Sequence, residues 1–348
     1  MQISELDLSN NLLPFKKFTK SNSVTEILCQ RLLSNSSAKA FREESFLLNP
    51  SQTLDHELNQ ITLGSGKRFR AILAFVMGDL FNESLETSRI IARAAEQVHA
   101  AFLCHDDVID EADERRARPT FNKATHNRRA ILAGDTLLAT VMMDVASLNN
   151  TELIGSLSKC IRDTVSGEID QDYGRWRDDL GWLEIESIAA RKTGALFGWT
   201  ASAHARMKQA PAPIIIALER IGARMGILFQ MADDRLDFHA RGEKQFAKDL
   251  REGLTNSATL ALLEQNPDLK MGLIANFQQR QFFRFWTEEQ WKNAQAVHDS
   301  RINIHRQSMF QDLDFLEIQL SQINQKNGVS ADTRKLREII ELVTHREI

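Results

Sequence analysis

Two stretches of this chain place aspartates in the pattern Asp-Asp-x-x-Asp: Asp106-Asp107-Val108-Ile109-Asp110 and Asp233-Asp234-Arg235-Leu236-Asp237. On a helix the first and fifth residues of such a run stack on one face. Asp106 would then aim with Asp110, and Asp233 with Asp237, at a single point. Carboxylates held that close repel, and an all-oxygen donor set without a matching Cys or His cluster favours a hard cation such as Mg²⁺. A lone acidic run is ordinarily a solvated helix face. These two are flanked by Phe102 and Leu103, and by Leu228, Phe229 and Met231, neighbours that a solvated face would not be expected to have.

Cations alternate with the acidic runs. Gly64-Ser65-Gly66-Lys67-Arg68-Phe69-Arg70 is a glycine-rich turn that delivers three cations just before an apolar helix. Backbone amides at such a turn, together with the planar fork of Arg, suit phosphate oxygens, although an ordinary helix start reads the same way. After the first acidic run comes Glu114-Arg115-Arg116-Ala117-Arg118-Pro119-Thr120, where Pro119 is expected to end the helix and leave the arginines at its mouth. Local pairing with Asp113 and Glu114 is the plainer alternative. Arg191-Lys192-Thr193-Gly194 and the stretch from Lys244 to Asp249 complete the series. Acidic metal sites alternating with Lys and Arg sites suit a substrate with several phosphate oxygens.

The elements that must position these groups are helices. A chain of 348 residues with 43% hydrophobic residues can build a sizeable core, and only 6 Pro and 16 Gly favour long uninterrupted helices. Ile90 to His105 and Ala130 to Ala146 carry apolar faces at helical spacing, and no segment alternates cleanly with period two. Ser/Asn-rich punctuation in residues 1–50 reads as short peripheral helices and loops, which leaves 51–348 as one catalytic domain. Phe and Trp concentrate from Phe277 to Trp291, and the charged remainder to Ile348 reads as amphipathic helices closing that domain. A net charge of −4 without a Lys/Arg block argues against nucleic-acid binding. Three scattered cysteines, a polar and acidic N-terminus and no apolar run near the roughly 20 residues of a membrane span point to the cytoplasm.

In order along the chain, the following segments carry a family resemblance: Gly66-Lys67-Arg68-Phe69-Arg70, Glu96-Gln97-Val98-His99, His105-Asp106-Asp107-Val108-Ile109-Asp110, Arg115-Arg116 with Pro119-Thr120, and Ala133-Gly134-Asp135. Gly167-Glu168-Ile169, Lys192-Thr193 and Phe229-Gln230-Met231-Ala232-Asp233-Asp234 follow. Over nearly all of residues 60–265 the chain resembles the trans-isoprenyl diphosphate synthases, also called the polyprenyl synthetase family. The resemblance implies an all-α, isoprenoid-synthase-type helical bundle around a central cavity, usually a homodimer. It also implies Mg²⁺-dependent condensation of isopentenyl diphosphate with an allylic prenyl diphosphate. Carried over residue by residue, Asp106, Asp110 and Asp233 would be direct Mg²⁺ ligands, supported by Asp107, Asp234 and Asp237. Lys67, Arg70, His99 and Arg116 would hold isopentenyl diphosphate; Arg115, Lys192, Thr193, Gln230 and Lys244 would hold the allylic diphosphate.

Departures from the pattern are Ala117 and the loss of both glycines in Glu243-Lys244-Gln245-Phe246-Ala247. In addition, Leu254 stands where the family carries lysine after Asp-Leu-x-x-Gly. Losing that contact would cost about 1–3 kcal/mol of anion stabilisation. About one helical turn before Asp106, Ala101 and Phe102 are expected to line the wall met by the growing chain, Ala101 opening it and Phe102 narrowing it. The first motif lacks an insertion and its wording is that of long-chain synthases, so the expected product is longer than C20. Alternatives are a farnesyl or geranylgeranyl synthase and a non-catalytic subunit of a heteromeric synthase. A terpene cyclase would lack the Lys67, Arg70 and His99 cluster, and an HD-type phosphohydrolase would need further His ligands.

Overall fold

The computed structural model describes residues 21–44, 67–115, 118–238, 246–327 and 332–344. Gly64 to Gly66, Arg116, Ala117 and Lys244 lie outside the described residues. The described chain is almost wholly helical; its strands are a two-residue antiparallel pair, β1 (Glu114–Arg115) and β2 (Arg118–Pro119).

Helix α3 (Phe69–Leu80) is buried on every side from Ala71 to Met77, as a helix with an apolar circumference must be. Around it pack α1 (Ser21–Leu32), α2 (Asn35–Glu43) and α4 (Leu85–Ile109). Cys29 and Leu32 join the main core, and Ser37 donates to Asp79 of α3 (2.6 Å), so the first two helices are integral to this packing. Helix α4 begins where Ser84 accepts the Thr87 N–H (3.0 Å), a capping geometry readable from the sequence. Its end differs from expectation. The helix stops at Ile109, with Asp110 as its C-cap, and not at Pro119, because Glu111 adopts a left-handed backbone (φ 48°) and the chain then turns into the β1–β2 pair.

Beyond α5 (Phe121–Ala124) come α6 (Asn127–Ala146), α7 (Thr151–Tyr173) and α8 (Trp182–Ala189). One turn of π-helix, Ala190–Gly194, joins α8 to α9 (Ala195–Met207), which packs along α10 (Ala212–Asp237). That contact is backbone against backbone. A Cβ on Gly226 would lie 2.3 Å from the Gly194 Cα, and one on Gly222 would lie 2.4 Å from the Phe197 carbonyl oxygen. Short helices α11 (Lys248–Arg251), α12 (Ser257–Gln265) and α13 (Lys270–Gln279) follow. The 40-residue α14 (Glu288–Asn327) packs on α10 and α12, and α15 (Arg334–Thr344) closes the end. The aromatic run expected from Phe277 to Trp291 forms a second, smaller core. There Phe238 stacks on Trp291 (4.5 Å between centroids) beneath the chain that leaves the second acidic run. Among the described residues no helix is long and apolar enough to cross a membrane.

Candidate active site

The second acidic run occupies the last turn of α10, and its three carboxylates face different surroundings. Asp233 is exposed. Asp234 is buried and accepts from Ser257 N–H (3.0 Å), Ser257 Oγ (2.6 Å) and Gln230 Nε2 (2.9 Å). Asp237 accepts the N–H groups of Lys248 (2.7 Å) and Asp249 (3.2 Å), which anchors the N-terminus of α11. Asp249 is held in turn by Asn256 Nδ2 (2.8 Å). Burial pushes Asp234 up to about 7, and the charge of Asp249 adds to it despite the Ser257 bond. Asp237 is likewise pushed up to about 7, by burial and then by Asp249. Asp249 itself is raised, chiefly by burial, with Asp110 contributing in the same direction and Lys192 opposing. Asp110 thus lies near enough to act electrostatically on the segment that follows the second run.

A side chain absent from the expected set joins Asp110 to that segment by hydrogen bonds. Arg175, just past α7, donates Nη2 to Asp110 Oδ1 (3.2 Å) and Nη1 to the Glu252 carbonyl (3.0 Å). On the first run, Asp106 and Asp110 are half-buried, while Asp107 is buried and its backbone carbonyl accepts from Asn122 (3.1 Å). His105 packs where a Cβ on Gly134 would lie 2.2 Å from its Nε2, which gives the Ala133-Gly134-Asp135 segment its glycine.

Lys192 and Thr193 lie on the π-helical turn. Lys192 Nζ is paired with Glu168 (2.6 Å) and donates to Gln171 (2.8 Å), and Thr193 Oγ1 donates to Gln230 Oε1 (3.3 Å). A relay therefore runs from Thr193 through Gln230 to Asp234. Gly167 is required beneath it, since a Cβ there would lie 2.6 Å from the Lys192 amide nitrogen. Lys192, Gln230, Asp234, Asp249 and Leu254 border one cavity of about 40 Å³, room for a few water-sized groups. At the N-terminal end of α3, Arg70 lies over the Phe197 ring (4.5 Å) and Lys67 is exposed. Arg68 pairs with the buried Glu96 (3.0 Å), which also accepts the Ala71 N–H (3.2 Å), and half-buried His99 follows Glu96 by three residues on α4. Arg115 takes part in the β1–β2 pair, its Cα opposite that of Arg118. Ala101 is fully buried with Cys104, Ala130 and Ala133 in the seam between α4 and α6, whereas Phe102 packs at the edge of the main core.

A sequence model of the polyprenyl synthetase family matches residues 51–294, most of the chain and every acidic and basic segment described above. The chain belongs to the polyprenyl synthetase family. Among its relatives, a prenyl transferase of Synechocystis sp. is 36% identical over 208 residues, 58% of this chain and 64% of the relative. The heptaprenyl diphosphate synthase component 2 of Geobacillus stearothermophilus is 36% identical over 191 residues, 54% of this chain and 60% of the relative. Both matches span less than two thirds of the relative's length. A polyprenyl synthase from Caulobacter crescentus, solved with calcium and isoprenyl diphosphate, superposes with a TM-score of 0.72 at 21% identity. That superposition covers 93% of this chain and 98% of the other, a shared all-α fold.

In this polyprenyl synthetase the carboxylates and amide oxygens gathered here are oxygen donors, with Lys192 and Arg175 beside them. Burial first, and then the neighbouring carboxylate charges, raise Asp234, Asp237 and Asp249, and a divalent cation nearby would favour their ionised forms. Among the described residues no three His, Cys, Asp or Glu side chains already enclose one point. Mg²⁺ is commonly held by one or two carboxylates plus substrate phosphates and water. Arg175, Asn256, Ser257 and His298, whose Nε2 lies 3.0 Å from Ser257 Oγ, were not legible as site residues. One signal was available: Asn256 precedes an apolar helix in the capping position, which fixes the segment carrying Asp249.

Proposed function

We propose that the chain is a trans-polyprenyl diphosphate synthase, a prenyltransferase that joins isopentenyl diphosphate to an allylic diphosphate. The observation that carries this reading is that both acidic runs reach the segment from Lys248 to Glu252, Asp110 through Arg175 to the Glu252 carbonyl and Asp237 by accepting the Lys248 and Asp249 N–H groups. Asp106, Asp110 and Asp233 would hold Mg²⁺, which when bound supplies positive charge to the departing diphosphate. Asp234 and Asp237 act differently: their hydrogen bonds fix α10 against α11 and α12, so the end of α10 is rigid when substrate arrives. Lys192 would exchange Glu168 and Gln171 for the allylic diphosphate, with Arg115, Thr193, Gln230 and Lys244 as further donors. Lys67, Arg70, His99 and Arg116 would fix isopentenyl diphosphate. Positioning and electrostatic stabilisation then do the catalysis, without a protein nucleophile. The test is incubation with Mg²⁺, isopentenyl diphosphate and each of dimethylallyl, geranyl, farnesyl and geranylgeranyl diphosphates, read by mass spectrometry. Linear elongated products support the reading; a cyclic hydrocarbon, or no elongation by folded protein, opposes it.

The product is proposed to exceed C20, in keeping with the name of the heptaprenyl relative. Phe102, at the core edge and not Ala101 in the helix seam, is the side chain expected to limit length. Phe102→Ala should shift products to longer chains, and an unchanged distribution would reject this role. A homodimer is proposed because α6 and α7 carry exposed Leu132, Met143, Ile169 and Tyr173, and the molar mass in solution tests it. Residues 51–348 are proposed as the catalytic unit. Three free, buried cysteines suit a reducing cytoplasm, and fractionation of cells tests that placement. A second reading, a subunit that needs a different partner, is favoured by Leu254 at the cavity and by the word component in the relative's name. Activity of the purified chain alone would exclude it.

A further inference from the structure

Arg175 joins the two halves of the site by three hydrogen bonds: to Asp110 Oδ1 (3.2 Å), to the Glu252 carbonyl (3.0 Å) and, through Nε, to Asp172 (3.0 Å). A guanidinium carries five N–H donors in a planar fork, so two remain beyond these three bonds. The position is rigid. Trp176 N–H donates to the Gly253 carbonyl (2.7 Å), and Gly253 at φ 80° lies so close to the indole that a Cβ would sit 2.4 Å from the ring. Only glycine satisfies both the backbone angle and the contact. This clamp holds Arg175 against the segment ending in Leu254. Gly174, the residue before Arg175, borders the cavity shared by Lys192, Asp234, Asp249 and Leu254. Leu254 brings no charge to that cavity, although the family has lysine at this place.

We propose that Arg175 binds the allylic diphosphate, supplying from the end of α7 the positive charge that position 254 lacks. The proposal rests on the synthase reading above. Asp172 and the Glu252 carbonyl keep the fork in place, and its two remaining N–H groups meet phosphate oxygens beside Asp110. A bidentate fork suits this better than a point charge, because a diphosphate presents paired oxygens in a plane.

The test measures Mg²⁺-dependent binding of inorganic diphosphate by calorimetry, and KM for each substrate, in wild type, Arg175→Gln, Arg175→Lys, Leu254→Lys and Arg175→Gln/Leu254→Lys. Arg175→Gln should weaken inorganic diphosphate binding and raise KM for the allylic substrate by about ten- to a hundredfold, leaving KM for isopentenyl diphosphate unchanged. Arg175→Lys should fall between, and adding Leu254→Lys to Arg175→Gln should recover much of the lost affinity. The proposal is overturned if Arg175→Gln binds inorganic diphosphate as wild type does, if both KM values rise together, or if Leu254→Lys gives no recovery. Should Arg175→Gln not fold, the effect of Leu254→Lys is compared in wild type and in a further variant, Arg175→Lys/Leu254→Lys: a gain in affinity much smaller in wild type supports the proposal, and an equal gain overturns it. Failure of the wild type to elongate any primer counts against the synthase reading, and the inorganic diphosphate arm still decides the role of Arg175.

Discussion

Asp234 shows how one carboxylate of an acidic run becomes structural while its neighbour stays exposed. The two are adjacent in sequence, yet the helix turns Asp234 inward to Ser257 and Gln230 and leaves Asp233 exposed. The sequence pattern marks the run without dividing these roles, because division depends on α12, a segment distant in the chain. Ser257→Ala removes the Oγ bond to Asp234 and the contact of that hydroxyl with buried His298. The backbone N–H bond survives, so the expected loss is about 1–3 kcal/mol of folding free energy, from denaturant midpoints. A wild-type midpoint would show that Asp234 is satisfied without that hydroxyl.

At the scale of elements, the site depends on how closely α9 and α10 approach. The π-helical turn places Lys192 and Thr193 toward Glu168 and Gln230, and Gly194 and Gly226 let the two backbones meet there. Apolar periodicity made α4 and α6 legible, but it carries no mark of a π-turn, which changes the hydrogen-bond span without changing residue type. It also misplaced the end of α4, since Pro119 is conspicuous in sequence and the left-handed Glu111 is not. In Gly226→Ala the added methyl would meet Gly194 backbone, which cannot swing aside as a side chain can. The expected cost is about 1–3 kcal/mol or more, with activity falling further than stability as Lys192 is displaced. Unaltered stability and activity would show that the helix pair tolerates separation.

Over the whole molecule, the family motifs made the fold legible and named most of the residues proposed for the site, because each motif names a position on a helix. Arg175 escaped, since its importance comes from the loop that it meets and not from its neighbours in sequence. Buried histidines give the assembled fold a pH limit. Burial holds His204 and His298 down to about 4, the charge of Arg235 adding to the effect at His298. Both are depressed below the unfolded value near 6.5. Their contribution is therefore complete above that pH, declines as the unfolded state takes up protons, and is fully lost once the pH falls through about 4. At full protonation the loss is about 3 kcal/mol per histidine. The variant with both replaced by Gln should lose less thermal stability between pH 7 and pH 4 than the wild type, in both of which Asp234 and Asp237, raised to about 7, act in the opposite direction. The central claim, that two distant acidic runs act on one diphosphate, is tested most directly by Mg²⁺-dependent diphosphate release in Asp106→Asn, Asp233→Asn and the double variant. Each single change should cost about a hundredfold or more, with the double little worse than either. A single variant that keeps the wild-type rate, or costs that multiply as independent sites would, contradicts the claim.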